Sequence, residues 1–112
     1  MGQVEFAEDA HRDLDLIFDH LAETYRGFGE APEEALEHAA RRIRAIIGAA
    51  DRSALAPHRG TVHDDLAGVR HLTLDRAVYY FRIEDEGVRV LAVFFGGQDY
   101  QRRMRLRILR RG

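Results

Sequence analysis

Arg70, His71, Arg82 and Tyr100 are the residues of this chain best suited to chemistry. Cleavage of RNA by its own 2′-hydroxyl needs a base, an acid for the leaving oxygen and a cation for the phosphate, roles open to His71, Tyr100 and an arginine. Their placement restricts the set. Arg70 and His71 are consecutive in a β-type segment, so they point to opposite faces and only one of them can join Arg82 directly. For any one of these residues a structural role is the simpler reading, with Arg82 pairing an Asp or Glu across the sheet.

Other chemistries lack their residues. The chain has no cysteine, which removes disulfides, thiolate metal sites and thiol nucleophiles. Its six histidines lie at positions 11, 20, 38, 58, 63 and 71 without a paired ligand spacing, so no metal site is expected. His11, His20 and His38 fall on predicted helix surfaces and read as solvated. No phosphate loop, nucleophile elbow or dinucleotide fingerprint is present, and no cofactor is expected. Gly96 and Gly97 read as a strand terminator. All seventeen basic residues are arginine, which excludes Schiff-base and lysine general-base chemistry and favours clamping of carboxylate or phosphate. The bias of a GC-rich genome accounts for the same count without function.

At 112 residues and 46% apolar content, the chain is expected to form a single domain over residues 1–112. The longest apolar run, Val90 to Phe95, is far short of a membrane span, and the first residues are too polar for a signal peptide. With no cysteine, a cytoplasmic location is the natural fit. The net charge of −2 hides an asymmetry: residues 1–40 hold eleven acids against two arginines (−9), and residues 41–112 hold eight acids against fifteen arginines (+7). Two oppositely charged surfaces fit different partners, the basic one facing nucleic acid or an acidic protein. Ordinary solvated helix faces with internal ion pairs give the same counts.

The elements that position these residues follow from periodicity. Gln3 to Phe6 is a short strand. Ala10, Leu14, Ile17, Phe18, Leu21 and Tyr25 recur at helical spacing behind an acidic first turn. Gly27 and Gly29 end that helix, and Ala31-Pro32-Glu33-Glu34 starts a second, with Leu36, Ala39, Ala40, Ile43, Ile46, Ile47 and Ala50 as its stripe. The pair reads as an antiparallel hairpin. Residues Asp51 to Asp65 read as a loop carrying His58 and His63. Val69 to Leu74, Ala77 to Glu84 and Val88 to Phe95 then read as strands of an antiparallel meander, joined by Asp75-Arg76 and Asp85-Glu86-Gly87. Asp99 is placed to cap a short final helix bearing Met104, Ile108 and Leu109.

Alternation puts Ala77, Tyr79, Phe81 and Ile83 on one face and Val78, Tyr80 and Arg82 on the other. In the next strand Leu91, Val93 and Phe95 oppose Val90, Ala92 and Phe94. Both faces are apolar, and the hairpin covers only one. The second must be covered by the tail, the loop or a partner. The expected class is therefore α+β: an N-terminal strand and an antiparallel helical hairpin packed on a small antiparallel sheet, with a short C-terminal helix.

In order and wording these segments resemble the RelE/ParE superfamily of toxins from type II toxin-antitoxin systems. The resemblance is carried by Phe6-Ala7-Glu8-Asp9-Ala10 leading into Asp13-Leu14-Asp15-Leu16-Ile17, by Asp65-Leu66-Ala67-Gly68-Val69-Arg70, by Ala77-Val78-Tyr79-Tyr80-Phe81-Arg82, and by Val90-Leu91-Ala92-Val93-Phe94-Phe95-Gly96-Gly97-Gln98-Asp99. It covers nearly the whole chain. The segment ending in Gly96-Gly97-Gln98-Asp99 is similar to the ParE branch, the plasmid-stabilisation proteins, whose members inhibit DNA gyrase.

The resemblance implies a non-enzymatic toxin that binds gyrase and is neutralised by a cognate antitoxin in a hetero-oligomer. It places Tyr80, Arg82, Phe94, Arg102, Arg103 and Arg105 at the antitoxin or target surface, with the second apolar face of the sheet as the antitoxin's seat. The alternative it carries is a RelE-like endoribonuclease acting on mRNA in the ribosome, with Arg70, His71, Arg82 and Tyr100 as its site. The absence of lysine departs from the usual pattern of that branch. A toxin fold that has become an inactive binding protein is the third reading.

Overall fold

A computed structural model describes residues 3–53, 60–62, 68–85, 87–96 and 100–111, with side chains for all of these except 53, 100, 101 and 108–111. The elements run β1 (Gln3–Phe6), α1 (Glu8–Gly27), α2 (Pro32–Ser53), β2 (Thr61–Val62), β3 (Val69–Leu74), β4 (Ala77–Glu84), β5 (Gly87–Phe95) and α3 (Tyr100–Arg111). The strands form one sheet in the order β1-β5-β4-β3-β2. The fold is α+β, as the sequence implies, but the sheet is mixed: β1 pairs in parallel with β5, and the other pairs are antiparallel. The long crossover through the hairpin allows that parallel pair, which a short connector could not.

Local chemistry sets the hairpin. At the end of α1 the Gly29 N–H donates to the Arg26 carbonyl at 2.9 Å and the Glu30 N–H to the Tyr25 carbonyl at 3.1 Å. This crossed pair satisfies the last carbonyls and needs a left-handed residue, which Gly29 supplies at φ 100°. Pro32 opens α2, and Glu34 reaches back to accept from the Ala31 N–H at 3.3 Å. The arms are clasped near the turn. His38 stacks on Tyr25 with ring centroids 3.6 Å apart and planes 5° from parallel, and its Nδ1 lies 3.0 Å from Glu30. His38 is thus half-buried and partnered, not solvated; His11 and His20 are exposed, as expected.

The hairpin packs Ala10, Leu14, Ile17, Leu21, Ala39, Ile46 and Ala50 onto Ala77, Tyr79, Phe81, Val88, Val90 and Val93 of the sheet. Tyr79 fastens this layer by donating its buried hydroxyl to the Ile46 carbonyl at 2.7 Å. Burial pushes that phenol up to about 12, which keeps it a neutral donor.

Three details differ from the sequence reading. Residues 51–53 continue α2, and Thr61–Val62 form a two-residue strand on β3 instead of loop; His58 and His63 lie outside the described residues. β5 begins at Gly87, because it pairs there with Gln3, and a Cβ at 87 would overlap the Gln3 carbonyl oxygen. A bulge opposite Tyr80 and Phe81 resets the alternation of β5. Val90 therefore faces the hairpin with Val88, whereas Leu91 joins the opposite face.

Candidate functional site

The second face of the sheet divides into an apolar half and a basic half. Val69, Val78, Tyr80, Ala92 and Phe94 form a small core there, closed by Met104 of α3. The chain's own C-terminal helix thus supplies the cover expected from either the tail or a partner. Tyr80 and Phe94, read as surface contacts from the sequence, are 1% and 4% exposed and meet edge to face at 6.0 Å. They support a surface from beneath. The guanidinium groups of Arg103 and Arg107 lie over the Phe94 ring at 5.3 and 5.4 Å, so the outer skin of this half is arginine on aromatic. Arg102, Arg103 and Arg105 are exposed on α3.

One ion pair, buried on its carboxylate side and part-buried on its arginine side, pins α3. Asp13, 7% exposed in the first half of α1, accepts from Arg107 Nη2 at 2.6 Å and from Arg107 Nη1 at 3.0 Å. It also accepts the Val93 N–H at 2.9 Å, and Arg107 Nη1 reaches the Leu91 carbonyl at 3.4 Å. These backbone groups need partners because β1 ends at Phe6, opposite Val90, and the bulge follows directly. A bidentate arginine–carboxylate pair replaces the missing ladder bonds and ties α1, β5 and α3 together. Neither residue stood out in the sequence, where Asp13 reads as one more acid on an amphipathic helix.

The basic half carries the candidate cleavage residues. His71 is paired with Tyr80 and Val69 with Arg82, so His71 and Arg82 share this face as diagonal neighbours, roughly 7–8 Å apart. Arg70 is opposite Phe81, on the hairpin face, and its Nη1 donates to the Gly60 carbonyl at 3.4 Å. The sheet therefore brings together His71 and Arg82 and sends Arg70 away, as consecutive strand residues must. Tyr100 is the first residue of α3, and its side chain lies outside those described. Arg82 sits across from Arg89 and not from an acid, and Arg89 pairs with Glu5 at 3.3 Å. His71 is half-buried, its ring tilted against Tyr80 at 5.5 Å.

Two more arginines gather at the end of β5 on the hairpin side. Arg42 and Arg76 lie over the Phe95 ring at 5.3 and 5.4 Å, and Arg42 is 3.8 Å from Asp75. Among the described residues no group of His, Asp and Glu is arranged to hold a metal ion, and no helix is long and apolar enough to cross a membrane. The chemistry on offer is recognition of an anion or an acidic surface around Phe94 and Phe95. A phosphate held by His71 and Arg82 is the other possibility the sheet provides.

No family model and no curated protein matches the chain. Among solved structures it is similar to one described as a chromosomal ParDE TA system from P. aeruginosa, with a TM-score of 0.66 and 22% identity over 86% of this chain and 97% of that one. The two share a fold.

Proposed function

We propose that the chain is the toxin of a type II toxin-antitoxin system of the ParE kind, acting by binding DNA gyrase and held inactive by a cognate antitoxin. The observation that carries this reading is the shared fold with the ParDE structure over 86% of this chain and 97% of that one. The site chemistry agrees with a binding protein. The exposed arginines of α3, backed by Phe94, suit an acidic partner segment or target surface. His71 is half-buried, with its ring tilted against Tyr80 at 5.5 Å.

The nuclease reading keeps one observation in its favour: His71 and Arg82 do share one face of the sheet. Induced expression in a bacterial host separates the two. Labelled thymidine incorporation should fall first, with protein synthesis following later. Early loss of translation with cleaved, ribosome-associated transcripts would replace this reading by the nuclease. Charge reversal at Arg102, Arg103 and Arg105 should weaken partner binding and flatten its salt dependence; unchanged affinity across a salt series returns these arginines to a solvated face.

A further inference from the structure

The turn between β3 and β4 is two residues, Asp75 and Arg76, closed by the Leu74–Ala77 pair and reached with Asp75 at φ 59°. Its place beside β5 is fixed: Ala77 pairs with Phe95, and the Gly96 N–H donates to the Arg76 carbonyl at 3.0 Å. Arg76 is thereby held at the Phe95 ring, and Arg42 reaches the same ring from α2, their guanidinium carbons 5.4 and 5.3 Å from its centroid. Two cations from two elements share one half-buried ring. A guanidinium held over a ring keeps its N–H groups for an oxyanion, and the ring fixes where those groups stand.

Charge at this corner is unbalanced. Asp75 stands 3.8 Å from Arg42 with its side chain 81% exposed, a distance and setting in which a pair contributes little. Arg76 takes part in no ion pair among the described residues. Residues 41–52 of α2 hold four arginines and one acid, Asp51. Arg41 and Arg52 return to one side of that helix, roughly 16 Å apart along its axis, with the small residues Ala45 and Gly48 between them. Arg52 leans back over this interval, its Nη1 3.6 Å from where a Cβ at Gly48 would stand. Burial raises the Tyr79 pKa, and Arg52 and Arg42 both oppose it, which puts the two arginines within electrostatic reach of one hydroxyl.

Cations spaced along a helix flank meet several anionic groups of one chain, so the complementary ligand is a polyanion, and the planar forks of arginine match phosphate oxygens. The flank lies on the hairpin side of the sheet, opposite the face that carries His71 and Arg82. We propose that Arg42 and Arg76, held over Phe95, clamp a backbone phosphate of a nucleic acid, with Arg41 and Arg52 continuing the contact along α2. The gyrase reading supplies duplex DNA as the source of the phosphate and the nuclease reading supplies RNA; the contact itself rests on neither.

Fluorescence anisotropy tests it, with the whole protein and a short labelled DNA duplex or a single-stranded RNA of equal length at low salt. The tighter ligand names the source. Replacing both residues, Arg42→Gln with Arg76→Gln, should weaken that ligand at least tenfold and make the slope of log K against log salt shallower by roughly 1.8 for the duplex or 1.4 for the single strand. Arg42→Lys with Arg76→Lys keeps the charge and loses the forks, so affinity should fall about threefold with the slope unchanged. Arg12→Gln with Arg26→Gln removes the same charge from α1 and should leave affinity within twofold. Thermal melts check that each variant is folded; if the glutamine pair is not, Arg76→Gln alone, at an exposed turn residue, repeats the test with half the slope change. Absence of binding to either nucleic acid, equal losses in the α1 control, or competition by polyglutamate as strong as by a nucleic acid of equal charge overturns the proposal. A protein that inhibits gyrase without such binding loses this proposal alone; one that binds through these arginines and leaves supercoiling intact loses the gyrase reading alone.

Discussion

The helical hairpin and α3 cover opposite faces of one sheet and are attached by different means. The hairpin contributes two long helices, a broad apolar layer and the Tyr79 hydrogen bond. α3 contributes Met104, two guanidinium groups on Phe94 and the Arg107–Asp13 pair. One cover is core in the ordinary sense, stabilised by apolar area. The other is a basic helix held by a charge pair whose desolvation cancels much of its attraction, so its strength depends on geometry. The difference places the apolar stabilisation under the hairpin and leaves the basic helix as the proposed recognition surface.

The largest effect should come from the residue that serves both covers. Asp13→Ala strands a part-buried guanidinium and the buried Val93 amide and should cost about 3 kcal/mol in urea denaturation. Arg107→Ala should cost less, since Asp13 keeps the Val93 amide, and the double variant should show clear non-additivity. Leu14→Ala in the hairpin layer should cost about 3 kcal/mol and raise amide exchange throughout the protein. Met104→Ala sharpens the contrast: about 2 kcal/mol, with faster exchange confined to α3. Exchange that rises equally in the hairpin would erase the distinction between the two covers.

A smaller effect concerns Tyr79. Its folded pKa of about 12 lies above the ordinary tyrosine value of 10.0, so its contribution is whole below pH 10 and is lost as pH rises toward 12. Tyr79→Phe should cost about 1 kcal/mol at neutral pH and flatten that alkaline decline. Smallest of all, Phe28→Ser at the hairpin turn, where Phe28 is 82% exposed, should stay within about 0.5 kcal/mol of the wild type.

Much of this architecture is legible in the residues. β3 and β4 run over the spans that β-branched and aromatic runs between turn residues indicate, and the hairpin follows its three-four spacing. What escapes is set by distant partners. Thr61–Val62 is a strand only because β3 lies beside it. The bulge that sets Leu91 and Ala92 on the same face leaves no trace in an unbroken apolar run. Asp13 looks like its neighbours Asp9 and Asp15 until the end of β1 exposes the Val93 amide, 80 residues away along the chain. Among the candidate residues, the separation of Arg70 from His71 follows from strand parity alone. The burial of Tyr80 and Phe94 depends on where α3 lands.

The claim that this fold works as a gyrase-binding toxin is tested most directly with purified components. The protein is added in increasing amount to DNA gyrase, ATP and relaxed plasmid, and supercoiling is read on a gel. Dose-dependent loss of supercoiling or accumulation of gyrase-bound cleaved plasmid is the predicted result. Full supercoiling at an excess of folded protein over gyrase would contradict it.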